Sequence, residues 1–271
     1  MSADLYRTRD HVADFDDKVR EYARRSAVTR KTIRMSADVA YGPGRDERLD
    51  IFYPAGEAHS SPVHIFIHGG YWRMFSKDDF SYVADTVTGA GAIAVVIDYA
   101  LMPSVRLAEV VRQVRSAKAW VSSNIASHGG DPDRISVSGH SAGAHLATFL
   151  FMESETAPPR GALLLSGVYD IRPLQQSFLQ PLINLTEEEV RTLSPVDHRF
   201  RPGFRAMIAY GEHETSPFHS QASLLARRMA DQSIDVSSFQ LEEVDHMSGV
   251  LDLGSGEKEA GRLLASLILN C

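Results

Sequence analysis

The sequence predicts an α/β fold with one mostly parallel, twisted sheet flanked by helices on both faces. Three observations carry that expectation. Dense apolar runs at Val63–Ile67, Ala92–Ile97, Ile135–Val137, Gly161–Ser166 and Ala206–Tyr210 have the character of strands buried on both faces. Helical apolar periodicity fills the intervals between them, and the alternation of strand and helix implies right-handed crossovers in a continuous sheet. The strand ending near Gly139 meets its following helix through Gly139-His140-Ser141-Ala142-Gly143, a G-x-S-x-G junction.

Residues 11–34 place Val12, Phe15, Val19, Tyr22 and Ala23 at near-helical spacing, so an amphipathic N-terminal helix is expected as a flap across the domain. Two strands follow, around Ser36–Tyr41 and Arg48–Tyr53, with Gly42-Pro43-Gly44 in the turn between them. After the buried run at Val63 the chain enters His68-Gly69-Gly70-Tyr71-Trp72. Asp79 to Thr88 reads as a helix ended by Gly89-Ala90-Gly91, and Leu107 to Ile125 as a long helix started after Pro103. His128 to Asp133 reads as the loop before the junction strand. Between Arg172 and Pro195 no strand pattern appears, and Thr186 with Glu189 forms a capping box. An insertion there, between two core strands, is expected to be a small lid. Helices are expected at Ser220–Asp231 and Lys258–Leu269, with a last strand at Val236–Leu241 that gives way to Val244-Asp245-His246. No composition shift marks a linker, so residues 1–271 are expected to form a single domain.

The chemistry is expected at the loop ends of the strands. A sharp strand-to-helix turn forces Ser141 into strained dihedrals, and the flanking glycines let strand and helix cross closely while Oγ stands exposed. A serine needs a base to take its proton and a carboxylate to orient that base. The acid is expected past the strand two beyond the junction, where Glu212 and Glu214 stand, and the base past the next strand, where His246 stands. The paired glycines after Ile67 bare backbone N–H groups suited to an oxyanion. Of the eleven histidines, His68 and His140 are expected as hydrogen-bonded scaffolding beside these loops, and His213 and His219 as solvent-facing. No H-E-x-x-H or other ligand spacing occurs, so no metal and no cofactor are expected.

Composition narrows the partners. Hydrophobic residues make up 44% and charged residues 23% of 271, enough apolar material for a sizeable core. Lys plus Arg number 28 against 35 Asp plus Glu, a net charge of −7 with no basic run, which disfavours nucleic acid and anionic membranes and suits a small-molecule substrate. The one cysteine, Cys271, suits a reducing compartment. The charged first ten residues lack the apolar centre of a signal peptide, and no apolar run approaches spanning length, so a cytoplasmic protein is expected. A homodimer is compatible with the sequence, which does not fix the oligomeric state.

His68-Gly-Gly-Tyr-Trp72, Gly139-His-Ser-Ala-Gly-Ala-His-Leu146, Asp98-Tyr99 with Pro103, and Asp131-Pro-Asp-Arg134 together resemble the arylformamidase (kynurenine formamidase) branch of the α/β-hydrolases, close to the hormone-sensitive-lipase-like esterases. Ser166-Gly-Val-Tyr-Asp170 and Leu193-Ser-Pro195 also fit, so the resemblance runs from about Tyr41 to His246. It implies an α/β-hydrolase fold, Ser141 as nucleophile, His246 as base, and an oxyanion hole from the N–H groups of Gly70, Tyr71 and Ala142. Gly69, Trp72 and His140 are expected to border the substrate, and Tyr71 and Trp72, which follow the oxyanion glycines, to crowd its acyl side. The acid position, usually Asp in the animal and yeast enzymes, holds Glu214 here, with Glu212 as the competing choice. The implied activity is hydrolysis of an aryl-formamide such as N-formylkynurenine. A carboxylesterase with a different natural substrate and a non-catalytic binding protein are the alternatives.

Overall fold

The computed structural model describes residues 4–56, 59–155 and 157–271. Among them, eight strands form one sheet in the order β1-β2-β4-β3-β5-β6-β7-β8. These are β1 (Met35–Ala40), β2 (Arg48–Phe52), β3 (Ser61–Ile67), β4 (Ile93–Ile97), β5 (Gly130–His140), β6 (Gly161–Leu165), β7 (Arg205–Gly211) and β8 (Asp235–Leu241). β2 runs antiparallel to both β1 and β4, and every pair from β4 to β8 is parallel. The parallel part is what the dense apolar runs require, since strands covered on both faces can be apolar on both. Side-chain alternation divides them between two cores: Ile65, Ile67, Val95 and Ile97 face one layer, and Phe66, Ala94 and Val96 the other.

The helices in chain order are α1 (Phe15–Thr32), α2 (Val83–Gly89), α3 (Leu107–Asn124), α4 (Ala142–Thr148), α5 (Gln180–Ile183), α6 (Glu187–Thr192), α7 (Ser216–Ala230), α8 (His246–Asp252) and α9 (Glu259–Leu269). Val110 and Val114 of α3, Leu146 of α4 and Leu225 of α7 join the core on one face. Tyr22 of α1, Val83 and Val87 of α2, Val250 of α8 and Leu264 of α9 join the core on the other. None of these helices is long and apolar enough to cross a membrane.

Several boundaries differ from the sequence expectation, each for a local reason. The expected helix from Asp79 is split: a 3-10 turn at Lys77–Asp79 is closed by a capping box between Ser76 and Asp79, and α2 starts only at Val83. β5 starts at Gly130 rather than after Asp133, because Gly130 pairs with Ser61 of β3. The stretch from His246 is helical, with the Asp245 carboxylate accepting from the N–H groups of Met247 and Ser248 at 2.8 Å each. α1 packs on that helix: the Tyr22 hydroxyl donates to the Met247 carbonyl at 2.6 Å, and Arg25 to the Leu251 carbonyl at 2.9 Å.

The core also buries histidines. His64 of β3 is fully buried between the hydroxyls of Ser136 and Ser138 on β5, at 2.8 and 2.6 Å from its two ring nitrogens. Burial pushes its pKa down to about 3, and those of His68 and His145 to about 4. His140 is held well below the usual histidine range by burial and by the neighbouring His246. All four stay neutral in the folded chain while their unfolded counterparts take up protons as pH falls through about 6.5, so acid favours unfolding. Asp98 opposes them. Burial raises its pKa to about 7, so its folded form binds a proton that the unfolded form releases above about 4. At pH 5.5 the four neutral histidines together outweigh the one strongly raised aspartate. Urea denaturation is therefore expected to show lower stability at pH 5.5 than at pH 7.5, by an amount on the order of a few kcal/mol. A level or rising stability over that interval would contradict the neutral, buried state of these rings.

Candidate active site

β5 delivers the chain into Ser141 at φ 54°, ψ −119°, a conformation that costs a non-glycine residue roughly 1–3 kcal/mol and persists only where its surroundings enforce it. The surroundings are explicit. A Cβ on Gly139 would stand 2.2 Å from the Gly143 carbonyl oxygen, and one on Gly143 would stand 2.0 Å from that of Ile67. Only glycine at both places lets α4 cross the ends of β5 and β3 this closely. The Ser141 N–H is tied to the Leu165 carbonyl at 2.9 Å, which fixes the turn to the end of β6.

The loop after β3 bends through three successive left-handed residues, Gly70 (φ 107°), Tyr71 (φ 52°) and Trp72 (φ 59°). A Cβ on Gly70 would lie 2.4 Å from the Met74 carbonyl oxygen. The Gly70 carbonyl accepts from the N–H groups of Arg73 and Met74 at 3.0 Å each, and the Trp72 carbonyl from that of Met102 at 2.8 Å. Among the described residues the amides of Gly70, Tyr71 and Ala142 donate to no backbone carbonyl. Unpaired N–H groups at a helix start and in a left-handed loop are what a developing oxyanion requires.

His246 is held from three sides. Its carbonyl accepts from Nε2 of His140 at 2.9 Å, its ring lies 4.3 Å from that of Phe218, and its helix start is capped by Asp245, which pairs with Lys18 at 3.1 Å. Nδ1 of His246 faces Oε2 of Glu214 at 3.6 Å. That separation exceeds a hydrogen bond, and both atoms are buried with no other partner, so each is the other's nearest polar complement. The other carboxylate oxygen of Glu214 accepts from the Gly211 N–H at 3.1 Å and from the Ser166 hydroxyl. Glu212 lies outside: it is exposed and accepts the Glu243 N–H at 3.0 Å. Of the two glutamates, Glu214 is the one that faces His246.

Ser141, His140, His246, Gly70 and Tyr71 line one cavity of about 240 Å³. Four placements differ from expectation. Ser141 is only 2% exposed rather than standing open, because a cover closes above it. Trp72 is fully buried away from the cavity, its ring edge-on to His145 at 5.0 Å, so it neither borders the cavity nor crowds it; Tyr71 does. Gly69 is not part of the wall either, but a Cβ there would stand 2.8 Å from the His140 carbonyl oxygen and 3.2 Å from Cβ of Ser141, so its bareness lets the loop approach the serine. His68 is scaffolding, stacked on Tyr99 at 4.3 Å. His219 is half-buried, with its Nε2 3.0 Å from the Gly211 carbonyl oxygen, whereas His213 is exposed as expected.

Two parts of the site escaped the sequence reading. Ser166, at φ 54° just beyond β6, supplies the hydroxyl that holds Glu214. Residues 4–9 supply much of the cover. The Leu5 carbonyl accepts from the Thr215 hydroxyl at 2.6 Å, the Tyr6 carbonyl from the Tyr71 hydroxyl, and the Asp4 carboxylate from the Phe178 N–H at 2.5 Å. From the 172–195 segment Phe178, Leu179 and Leu182 reach the cavity, while Leu174 and Ile183 are buried beneath it.

A strained serine at the end of a central parallel strand, over a sheet of this order, defines an α/β-hydrolase. Comparison with known proteins agrees. The BD-FAE family matches residues 49–162. Kynurenine formamidase of Danio rerio is 28% identical over 243 residues, spanning 85% of this chain and 81% of that protein. Esterase LipQ of Mycobacterium tuberculosis is 32% identical over 207 residues, 70% of this chain and 48% of the other. Among solved structures, a putative thioesterase from silicibacter sp. tm1040 aligns with a TM-score of 0.84 at 24% identity, covering 98% of this chain and 97% of that one. A hyperthermophilic esterase from Pyrobaculum calidifontis aligns at 0.80 and 18% identity, covering 94% and 92%. Within the α/β-hydrolases the chain is similar to arylformamidases and esterases, and these likenesses support a hydrolase of the ester and amide type.

Proposed function

We propose that the chain is a serine hydrolase that cleaves a small amide or ester, foremost an aryl-formamide such as N-formylkynurenine, through an acyl-Ser141 intermediate. The observation that carries this reading is the placement of Ser141 and His246 on one small cavity, with the buried carboxylate of Glu214 facing Nδ1 of His246. The substrate class is supported by the similarity to the Danio rerio kynurenine formamidase over most of both chains.

In this mechanism Oγ of Ser141 attacks the formyl carbon while Nε2 of His246 takes its proton, and Glu214 stabilises the resulting imidazolium through Nδ1–H. The N–H groups of Gly70, Tyr71 and Ala142 hold the oxyanion. Collapse breaks the C–N bond, and the amine leaves with the proton from His246. Water then gives a proton to His246 and its oxygen to the acyl carbon, releasing formate and restoring Ser141. No step requires a cofactor. The 172–195 segment acts as a lid, and α1 with residues 4–9 as the flap that holds it down, keeping bulk water from the acyl-enzyme.

The same machinery would cleave esters, and the similarity to an esterase over 70% of the chain makes a carboxylesterase the second reading. Steady-state kinetics on N-formylkynurenine beside p-nitrophenyl acetate, butyrate and octanoate separates them. A formamidase gives its highest kcat/KM on the formamide and falls steeply from acetate to octanoate, because Tyr71 crowds the acyl side. Butyrate or octanoate above the formamide would favour the carboxylesterase, and turnover of none of the four would remove the hydrolase reading.

A further inference from the structure

Three arginines, Arg7, Arg9 and Arg73, line the cavity that holds Ser141, and no aspartate or glutamate does. Two of the three are already matched. Arg9 pairs with Asp16 at 2.8 Å and covers the ring of Phe15, and Arg7 stands 3.7 Å from Asp10 and over the ring of Phe178. Arg73 is different. Its side chain is half-buried, its Nε is buried without a hydrogen bond, and among the described residues no carboxylate reaches it. The remaining wall is largely aromatic and aliphatic, with Phe75, Phe80 and Met247 among its members.

An unpaired guanidinium in an apolar wall is unfavourable until an anion completes it, and a carboxylate matches its planar donor fork. Among the described residues Arg73 is the one cation lining this cavity without a carboxylate partner, on a chain of net charge −7, which fits a single negative charge better than a polyphosphate. A formyl group has no atom on which to carry that charge, so the charge belongs to the amine portion. We propose that Arg73 determines specificity for substrates bearing one carboxylate on their leaving-group side. The proposal rests on the formamidase reading above and adds to it the chemistry of the group recognised.

The test compares 2-formamidobenzoate with 2-formamidobenzamide, which have nearly the same shape and differ in charge. The unsubstituted protein is expected to favour the benzoate in kcat/KM by roughly 10- to 100-fold, the range for a charge-assisted contact in a partly buried site. Arg73→Gln is expected to lower kcat/KM for the benzoate at least tenfold more than for the benzamide, mainly through KM, and Arg73→Lys to retain part of the preference. Equal handling of the two compounds by the unsubstituted protein, or equal losses in Arg73→Gln, would overturn the proposal. Calorimetric binding of the same pair to Ser141→Ala, with and without Arg73→Gln, reads the preference without turnover. A preference that appears there while neither compound is hydrolysed would reject the formamidase reading and keep the role of Arg73; no preference there would reject the role of Arg73 itself.

Discussion

Replacement of Ser141 by alanine is expected to lower kcat by about a million-fold on every substrate, the loss that follows when the nucleophile of a triad is removed. The fall should be uniform across esters and amides, since in the proposed mechanism each passes through the same acyl-serine. The fold should persist. The backbone at Ser141 is held by its N–H bond to Leu165 and by the crossing of α4 over β3 and β5, none of which involves Oγ. Kinetics with matched thermal melts checks this: activity lost with an unchanged Tm agrees, and a retained rate would remove Ser141 from the chemistry. His246→Ala should cost a comparable factor, and the double substitution little more, because residues acting as a unit do not lose rate additively.

Glu214→Gln is expected to lower kcat by roughly three to four powers of ten with little change in Tm. In the folded chain one carboxylate oxygen accepts from Gly211 and Ser166, and the other faces His246. The glutamine carbonyl can take the first place, which puts its NH₂ opposite Nδ1. A donor there favours the tautomer protonated on Nε2, which cannot accept the serine proton. Glu212→Gln should leave the rate nearly intact and change stability by no more than about 0.5 kcal/mol, since the side chain is exposed and accepts one N–H. The sequence leaves Glu212 as the competing choice for the acid; in the structure it makes only a surface contact, so no marked loss of Tm is expected. Parallel kcat and Tm measurements on the two variants decide the matter, and a rate loss confined to Glu212→Gln would reverse the assignment.

The fold was legible because its physical demands leave marks on side chains. Strands covered on both faces must be apolar on both, hence the runs at Val63, Ala92 and Gly161. The junction was legible for a stricter reason: the helix crossing leaves no space for a Cβ at Gly139 or Gly143, so the spacing of the glycines reports the geometry directly. The cover left no such mark. Leu5 and Tyr6 act through backbone carbonyls, which no pattern of side chains encodes. Trp72 misled because an aromatic beside loop glycines suits a ligand wall and a core equally well, and its contact with His145 is tertiary. α8 was missed although Asp245 and Ser248 form its capping box, because seven residues are too few to display periodicity. Ser166 stands at the end of a strand within a segment that fits the resemblance, but nothing in its pattern marks its hydroxyl as the partner of Glu214.

In the proposed mechanism an acyl group passes through Ser141. Rapid acid quench of the protein turning over p-nitrophenyl acetate, followed by peptide mass spectrometry, observes that intermediate directly. The account predicts one acetyl group on the peptide holding Ser141, accumulating in the pre-steady state, decaying as substrate is exhausted, and absent from Ser141→Ala. Release of p-nitrophenol at the full rate with no adduct on Ser141, or with the acetyl group on another side chain, would contradict it.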